Sequence, residues 1–355
     1  MIDLNGEEGG GQILRTALAL SMFTRQPFSM ANIRAKRPNP GLRPQHLQCI
    51  LAAKELSDAY VEGSEVGSKE ILFVPKDCKA KSMTIDIGTA GSTILLLQSV
   101  LLPCLFAKRG LKLKVMGGTT NKAAPPYHYF AHVFLPYLSR FADIQPRLRK
   151  TGYYPKGGGE VEVAIKPLCK GEYPQIIEEL NTRIKPFDLI EKARVVHIRG
   201  VSHASTELLQ ARVAERQARA AQVYLSSLAP VNITTEYANT LSIGSGITLW
   251  AVMEYGENVA VHGADMIGEK GVPAEQIGIL AAEKLGAGLG GGIIVDEFLA
   301  DQIIPFLALL RGSRMRTTQV SDHAMSNCRT VEKFLPVTFK IEGNTICCEP
   351  GEKRE

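Results

Sequence analysis

One histidine, His323, stands in the run S-D-H-A-M-S-N (Ser321 to Asn327), and close to the N-terminus the run E-G-G-G-Q-I-L-R (Glu8 to Arg15) opens a helix. An imidazole is neutral and nucleophilic at physiological pH, because its ordinary pKa is about 6.5. Three glycines leave the backbone free to approach a ligand closely. A helix starting beside them turns unpaired N–H groups and a partial positive charge toward any anion there. Arg15 adds a planar fork of donors about one turn further on. The chemistry such parts could do is attack on phosphorus, with a nucleophilic ring facing a phosphate cradle and the N- and C-terminal regions meeting at one site. The same glycine run is also compatible with an ordinary turn before a core helix.

Such a site needs elements to hold it, and the sequence repeats one. A Gly-bearing turn followed by an apolar helix occurs at Gly9–Met22, Gly88–Pro103 and Gly290–Leu310. A second amphipathic helix follows each, around His46–Leu56, Tyr127–Phe141 and Ala324–Phe334. Alternating strand residues close each unit at Ile71–Pro75, Glu160–Pro167 and Thr345–Pro350. Regular self-similarity predicts three α/β units, at about 1–80, 81–167 and a late third. The stretch between Lys166 and about Gly278 has a different texture and predicts a smaller inserted α/β domain over 183–275, flanked by a large domain of 1–182 and 276–343. Its charged helix, Glu207–Leu225, carries Arg212, Arg216 and Arg219 as one basic stripe, a pattern more typical of a solvated face than of a nucleic-acid contact.

The bulk properties narrow the class. At 355 residues with 45% hydrophobic content the protein can bury a sizeable core. A formal net charge of +5 permits a polyanionic partner without demanding one. Seven cysteines, an odd number with no C-x-x-C pair, argue against a disulfide framework or zinc site and for a reducing compartment. The acidic opening M-I-D-L-N-G-E-E lacks the apolar core of a secretory signal. The longest apolar run, Ile94–Ala107, is too short to span a bilayer. These readings predict a cytoplasmic protein, or a nuclear one in a eukaryote, with no membrane partner. No G-x-x-x-x-G-K-[ST] occurs, and Gly9 and Gly11 lack a third glycine in register, so neither a P-loop nor a Rossmann site is expected.

Several blocks, in order along nearly the whole sequence, resemble the RNA 3′-terminal phosphate cyclase family. They are Glu8–Arg15, I-R-A-K-R-P-N-P-G-L-R-P-Q-H-L (Ile33–Leu47), G-T-A-G-S (Gly88–Ser92), Gly117–Pro126, G-Y-Y-P-K-G-G-G-E (Gly152–Glu160), D-E-F-L-A-D-Q (Asp296–Gln302) and the His323 segment. The inserted region matches least. The resemblance implies an α/β fold of three repeated units like the C-terminal domain of bacterial initiation factor three, with a thioredoxin-like insert. It implies ATP-dependent conversion of an RNA 3′-phosphate to a 2′,3′-cyclic phosphate through an enzyme-histidine–AMP intermediate and an RNA adenylate. ATP and an RNA with a 3′-phosphate end are the implied partners, with a divalent metal, magnesium or manganese.

Carried over position by position, the resemblance makes His323 the AMP acceptor, with Arg15 and Arg37 assisting. Glu8 is matched to a carboxylate that helps hold the metal. Gln12, Arg34 and Gln45 match positions near the phosphates, and Gln98 a nucleotide-proximal one. Pro125, Phe298 and Asp301 match the adenosine pocket. Phe298 and Asp301 share a helix face at i, i+3, so an aromatic platform would lie beside a hydrogen-bond acceptor. Asp322, Ser326 and Asn327 are polar neighbours that could orient the His323 ring. No matched position falls in the insert, which is therefore expected to carry no AMP-transfer chemistry. Two other readings stay open: a non-catalytic cyclase-like factor in RNA processing or ribosome assembly, and a small-molecule enzyme of the enolpyruvyl transferase type.

Overall fold

Among the described residues, alternating apolar and polar positions set up sixteen strands in four sheets of four. The computed structural model describes residues 1–351 apart from Glu8, Gly10, Ala80 and Ala123. The first sheet is built from β1 (Ile2–Asn5), α1 (Gln12–Thr24), β2 (Phe28–Ala31), α2 (Pro44–Ser57), β3 (Tyr60–Glu62) and β4 (Ile71–Val74). The second uses β5 (Met83–Asp86), α3 (Thr93–Cys104), β6 (Leu111–Gly117), α4 (Tyr127–Tyr129), α5 (Leu135–Leu138), β7 (Ala142–Lys150) and β8 (Gly159–Pro167). A π-helical turn, Phe130–Phe134, joins α4 to α5.

After α6 (Gln175–Arg183) and the two-residue β9 (Asp188–Leu189), the backbone leaves to make a different sheet. That sheet contains β10 (Arg194–Ser205), β11 (Val231–Ala238), β12 (Ser245–Tyr255) and β13 (Asn258–Ile267), with α7 (Val213–Leu225) and α8 (Ala274–Leu289) packed on it. The backbone then returns through α9 (Glu297–Leu307), β14 (Arg314–Arg316), α10 (Asp322–Phe334), β15 (Val337–Glu342) and β16 (Thr345–Pro350).

The strand orders are β1-β2-β4-β3, β5-β6-β8-β7 and β9-β14-β16-β15. In each, the first two strands are parallel and the last two pairings antiparallel. The remaining sheet, β11-β10-β12-β13, has β10 parallel to β11 and its other pairings antiparallel. It sits over its own cluster of buried side chains, including Ile198, Leu249, Met253, Ile277 and Leu285. The other three share one core.

Helix α1 is at the centre of that core. Of its thirteen residues only Arg15 escapes full burial, and the helix packs against α2, α3 and α10. A helix apolar on all sides has no solvent face to give up, which is why the polar Gln12, Arg15 and Thr16 at its N-terminal end are conspicuous.

Three elements differ from the sequence expectation. The charged helix begins at Val213, not Glu207, and Arg212 precedes it at φ 51°. That breaks the basic stripe, and Arg216 instead makes a bidentate pair with Glu275 of α8, both contacts at 2.7 Å. Residues 188–189, placed within the expected insert, pair with β14 in a sheet of the large core. The expected boundary at 275 falls at the start of α8, whose partners are α7, β12 and β13. The two helices cross so closely that a Cβ at Gly278 would lie 2.2 Å from the Gln217 carbonyl oxygen. Cys49, Cys104, Cys169, Cys328, Cys347 and Cys348 are free thiols. No helix among the described residues is long and apolar enough to cross a membrane.

Candidate active site

A cavity of about 430 Å³ opens where the N-terminal end of α1 meets α3, α9, α10 and the edge formed by β13 and α8. Eight of the residues singled out in the sequence line it: Gln12, Arg15, Gln98, Pro125, Phe298, Asp301, His323 and Asn327. They come from four different helices and one loop, so only the fold brings them together.

His323 lies in the first turn of α10. Ser321 caps that helix, its Oγ accepting from the Ala324 N–H at 3.0 Å. The helix is fastened to the core by polar bonds between distant segments. Gln12 Nε2 donates to Ser326 Oγ at 2.9 Å, and Thr16 Oγ1 donates to Asn327 Oδ1 at 2.9 Å. Asn327 Nδ2 donates to the Asp301 carbonyl at 2.8 Å. Ser326 and Asn327 therefore position the helix and do not orient the imidazole, contrary to the sequence expectation. Among the described residues no hydrogen-bond partner holds either ring nitrogen of His323. Its pKa is lowered by partial burial and then by the charges of Arg37 and Arg15, with Asp322 opposing. The ring is thus neutral, with a free lone pair, at physiological pH.

Arg15 lies deep in the site, where burial lowers its pKa. No carboxylate among the described residues pairs with it. The guanidinium is partly exposed at the cavity wall, where an anion can reach it. Gly11, at the N-cap of α1, is required here by space: a Cβ would lie 2.4 Å from His46 Nε2 and 2.6 Å from an Arg15 terminal nitrogen.

The remaining expected residues fall elsewhere. Arg37 is exposed and outside the cavity wall, yet near enough for its charge to bear on His323. Arg34 is also outside the wall. Its Nη1 donates to the carbonyls of Asn39 and Gly41, at 2.8 and 3.0 Å, so that nitrogen braces its own loop. Gln45 Oε1 accepts from the Ser92 N–H at 3.2 Å, tying α2 to the turn that opens α3. Glu8 lies outside the described residues.

The far wall holds the aromatic Phe298, 37% exposed, with Lys284 Nζ 4.1 Å from its ring centroid. Gln98, the polar residue on apolar α3, donates through Nε2 to Gln302 Oε1 at 2.7 Å, and Gln302 Nε2 donates to the Phe298 carbonyl at 2.9 Å. Asp301 is raised to about 7, chiefly by burial, with the Ser321 hydrogen bond opposing. Asp265 of β13 is raised to about 6 by burial, with Lys284 opposing. Asp265 of β13, Glu269 after it and Lys284 of α8 also line the cavity, and none was foreseen. The one available signal was an acid inside the strand run V-A-V-H-G-A-D-M-I (Val259–Ile267).

An α/β fold with a neutral imidazole, a guanidinium and an aromatic wall around one cavity has the parts that phosphate chemistry uses. Similarity to known proteins narrows that class. The RNA 3′-terminal phosphate cyclase family matches residues 6–341, and the chain belongs to that family. It is 42% identical to an RNA 3′-terminal phosphate cyclase of Pyrococcus furiosus, with 100% of this chain and 97% of that protein covered. It is 44% identical to the protein of that name from Pyrobaculum neutrophilum, over 96% of this chain and 94% of the relative. A third relative so named, from Archaeoglobus fulgidus, is 42% identical over 98% of this chain and 99% of its own length.

Proposed function

We propose that this protein converts an RNA 3′-phosphate end to a 2′,3′-cyclic phosphate at the expense of ATP, passing through a His323–AMP adduct and an RNA adenylate. The observation that carries the reading is His323: a neutral imidazole, without a ring hydrogen bond among the described residues, at the wall of a cavity that also holds Arg15, which no described carboxylate pairs with. Family membership and the names of the relatives supply the substrate.

In this mechanism a ring nitrogen of His323 attacks the α-phosphorus of ATP. One P–N bond forms and pyrophosphate leaves. Arg15 and Arg37 offset the charge that builds on the phosphates, the largest single kind of help a protein gives such a step. An oxygen of the RNA 3′-phosphate then takes AMP from His323 and the P–N bond breaks. The terminal phosphate now carries a leaving group. The neighbouring 2′-OH attacks it, loses its proton and expels AMP. Splitting the reaction this way replaces one hard displacement with easier ones. Phe298, Pro125 and Asp301 would hold the adenosine, the base using the side of Phe298 that Lys284 leaves open.

A divalent metal, magnesium or manganese, would shield the phosphates. Among the described residues no three His, Cys, Asp or Glu side chains converge. That donor set suits an ion held mainly by phosphate and water oxygens, with Glu8 as the expected protein ligand, rather than a resident cage.

The common strand order supports reading three sheets as copies of one initiation-factor-three-like unit and the fourth as a thioredoxin-like insert. A non-catalytic role is disfavoured by the free His323. Incubation with α-labelled ATP and a divalent metal, followed by denaturing electrophoresis, tests the reading: label should stay on the protein, and an unlabelled protein would overturn it.

A further inference from the structure

His46 is buried, 8% exposed, in the first turn of α2, and its ring is fixed at one end. The Arg43 backbone N–H donates to His46 Nδ1 at 3.1 Å. An accepting nitrogen carries no proton, so the neutral ring bears its hydrogen on Nε2. Burial, reinforced by Arg15, Arg34 and Arg43, pushes the imidazole down to about 3, so it stays neutral throughout the working range. The Nε2 end is directed at Gly11, beside the Arg15 guanidinium, over the glycine run that opens α1. Among the described residues no acceptor takes that Nε2–H. The ring cannot swing away without breaking the bond that caps α2.

A donor fixed by a buried ring, beside a guanidinium that no carboxylate among the described residues pairs with and at a helix N-terminus, suits an acceptor with several oxygens. We propose that His46 Nε2–H is a fixed, uncharged donor to a phosphate oxygen bound over Gly11 next to Arg15. The inference deepens the cyclase reading and rests on it. A neutral donor makes sense at this place. Arg15, Arg37 and Arg43 already supply charge, and a further cation would hold the phosphates too tightly to let pyrophosphate go. The phosphate could belong to ATP or to the RNA end, since both present the same oxygens.

Two substitutions separate the two ends of the ring. His46→Asn keeps an acceptor at the Nδ1 position, so the cap survives, but removes the distal donor. His46→Gln keeps an amide N–H near the Nε2 position and loses the cap. Adduct formation from ATP, without RNA, is measured first. Transfer of AMP from isolated adduct to an oligonucleotide with a 3′-phosphate is measured second. His46→Asn should melt like wild type yet lose roughly ten- to a hundred-fold in one arm, the usual worth of a hydrogen bond to a charged group. A loss in the first arm assigns the donor to ATP, a loss confined to the second assigns it to RNA. His46→Gln should keep more activity than His46→Asn. Equal losses in both variants, or His46→Asn within about twofold of wild type in both arms, would overturn the proposal. Wild-type adduct formation is the control: its absence would sink the cyclase reading itself. Nuclear magnetic resonance of ring-labelled wild type gives an independent check. The His46 Nε2–H signal should move on adding inorganic pyrophosphate or the oligonucleotide, and a signal unmoved by both would also overturn it.

Discussion

Ser321 Oγ donates to Asp301 Oδ1 at 2.5 Å, joining the cap of α10 to the cavity face of α9. His323 follows Ser321 by two residues, so this one bond couples the helix of the proposed nucleophile to the wall proposed to hold the adenosine.

Asp301 makes stability depend on pH. Burial raises its carboxyl from 3.8 to about 7, so the folded protein holds a proton that the unfolded protein releases near 3.8. Stability contributed by Asp301 is present at low pH and declines as pH rises from about 4 to 7. Asn, which never ionises and can still accept from Ser321, removes that decline. Asp301→Asn should therefore gain on wild type at pH 8 compared with pH 5, by an amount on the order of a few kcal/mol at most. Thermal melts at the two pH values measure it, and an equal difference at both would contradict the argument.

His323→Ala should abolish the protein–AMP adduct while changing stability by no more than about 0.5 kcal/mol, the range of a surface substitution. The adduct should be labile in acid and stable in alkali, as a phosphoramidate is. A His323→Ala protein that still captures AMP would move the nucleophile to another residue.

The His323 pKa is lowered by burial, Arg37 and Arg15. Adduct formation should thus be level across neutral pH and fall only below the ordinary value of about 6.5, as the ring protonates. Removing Arg15 takes away one of the charges that suppress protonation, so in Arg15→Ala the fall should begin at higher pH. The same variant should form adduct more slowly, the loss of one such donor being worth roughly 2.7–4 kcal/mol. A pH profile of labelling rate for both proteins decides the point.

Asp265 of β13 and Lys284 of α8 line the cavity wall. Lys284→Ala should raise the KM for ATP by roughly tenfold, as expected for one contact to a charged group, with little change in kcat. An unchanged KM would remove Lys284 from the nucleotide site.

Recognition should read the RNA end rather than its sequence. With one Trp and 6% aromatic residues the protein lacks material for a long stacking platform. A 3′-phosphate RNA should bind more tightly than its 3′-OH twin, and affinity should fall with salt. Equal binding of the two in a titration at physiological salt would refute end recognition.

Much of this was legible in the sequence because it is local. Period-two runs give β8 and β16 to within a residue, and the apolar helices after each Gly turn emerge as α1, α3 and α9. Blocks along the sequence pointed to the family and to eight residues of the cavity wall. Tertiary structure decided what depends on residues far apart. Gln12, Thr16, Asp301 and Asn327 are drawn into one bonded region only because α1, α9 and α10 pack together. Arg34 and Gln45 sit in the same motif as Arg37, yet they brace the backbone, since a guanidinium or amide takes the nearest satisfied geometry. Asp265 and Lys284 carry no motif and reach the cavity through the docking of β13 and α8. His46 shows the division most clearly: the sequence places it two residues past Pro44, but only the approach of α2 to Gly11 aims its Nε2–H at the site.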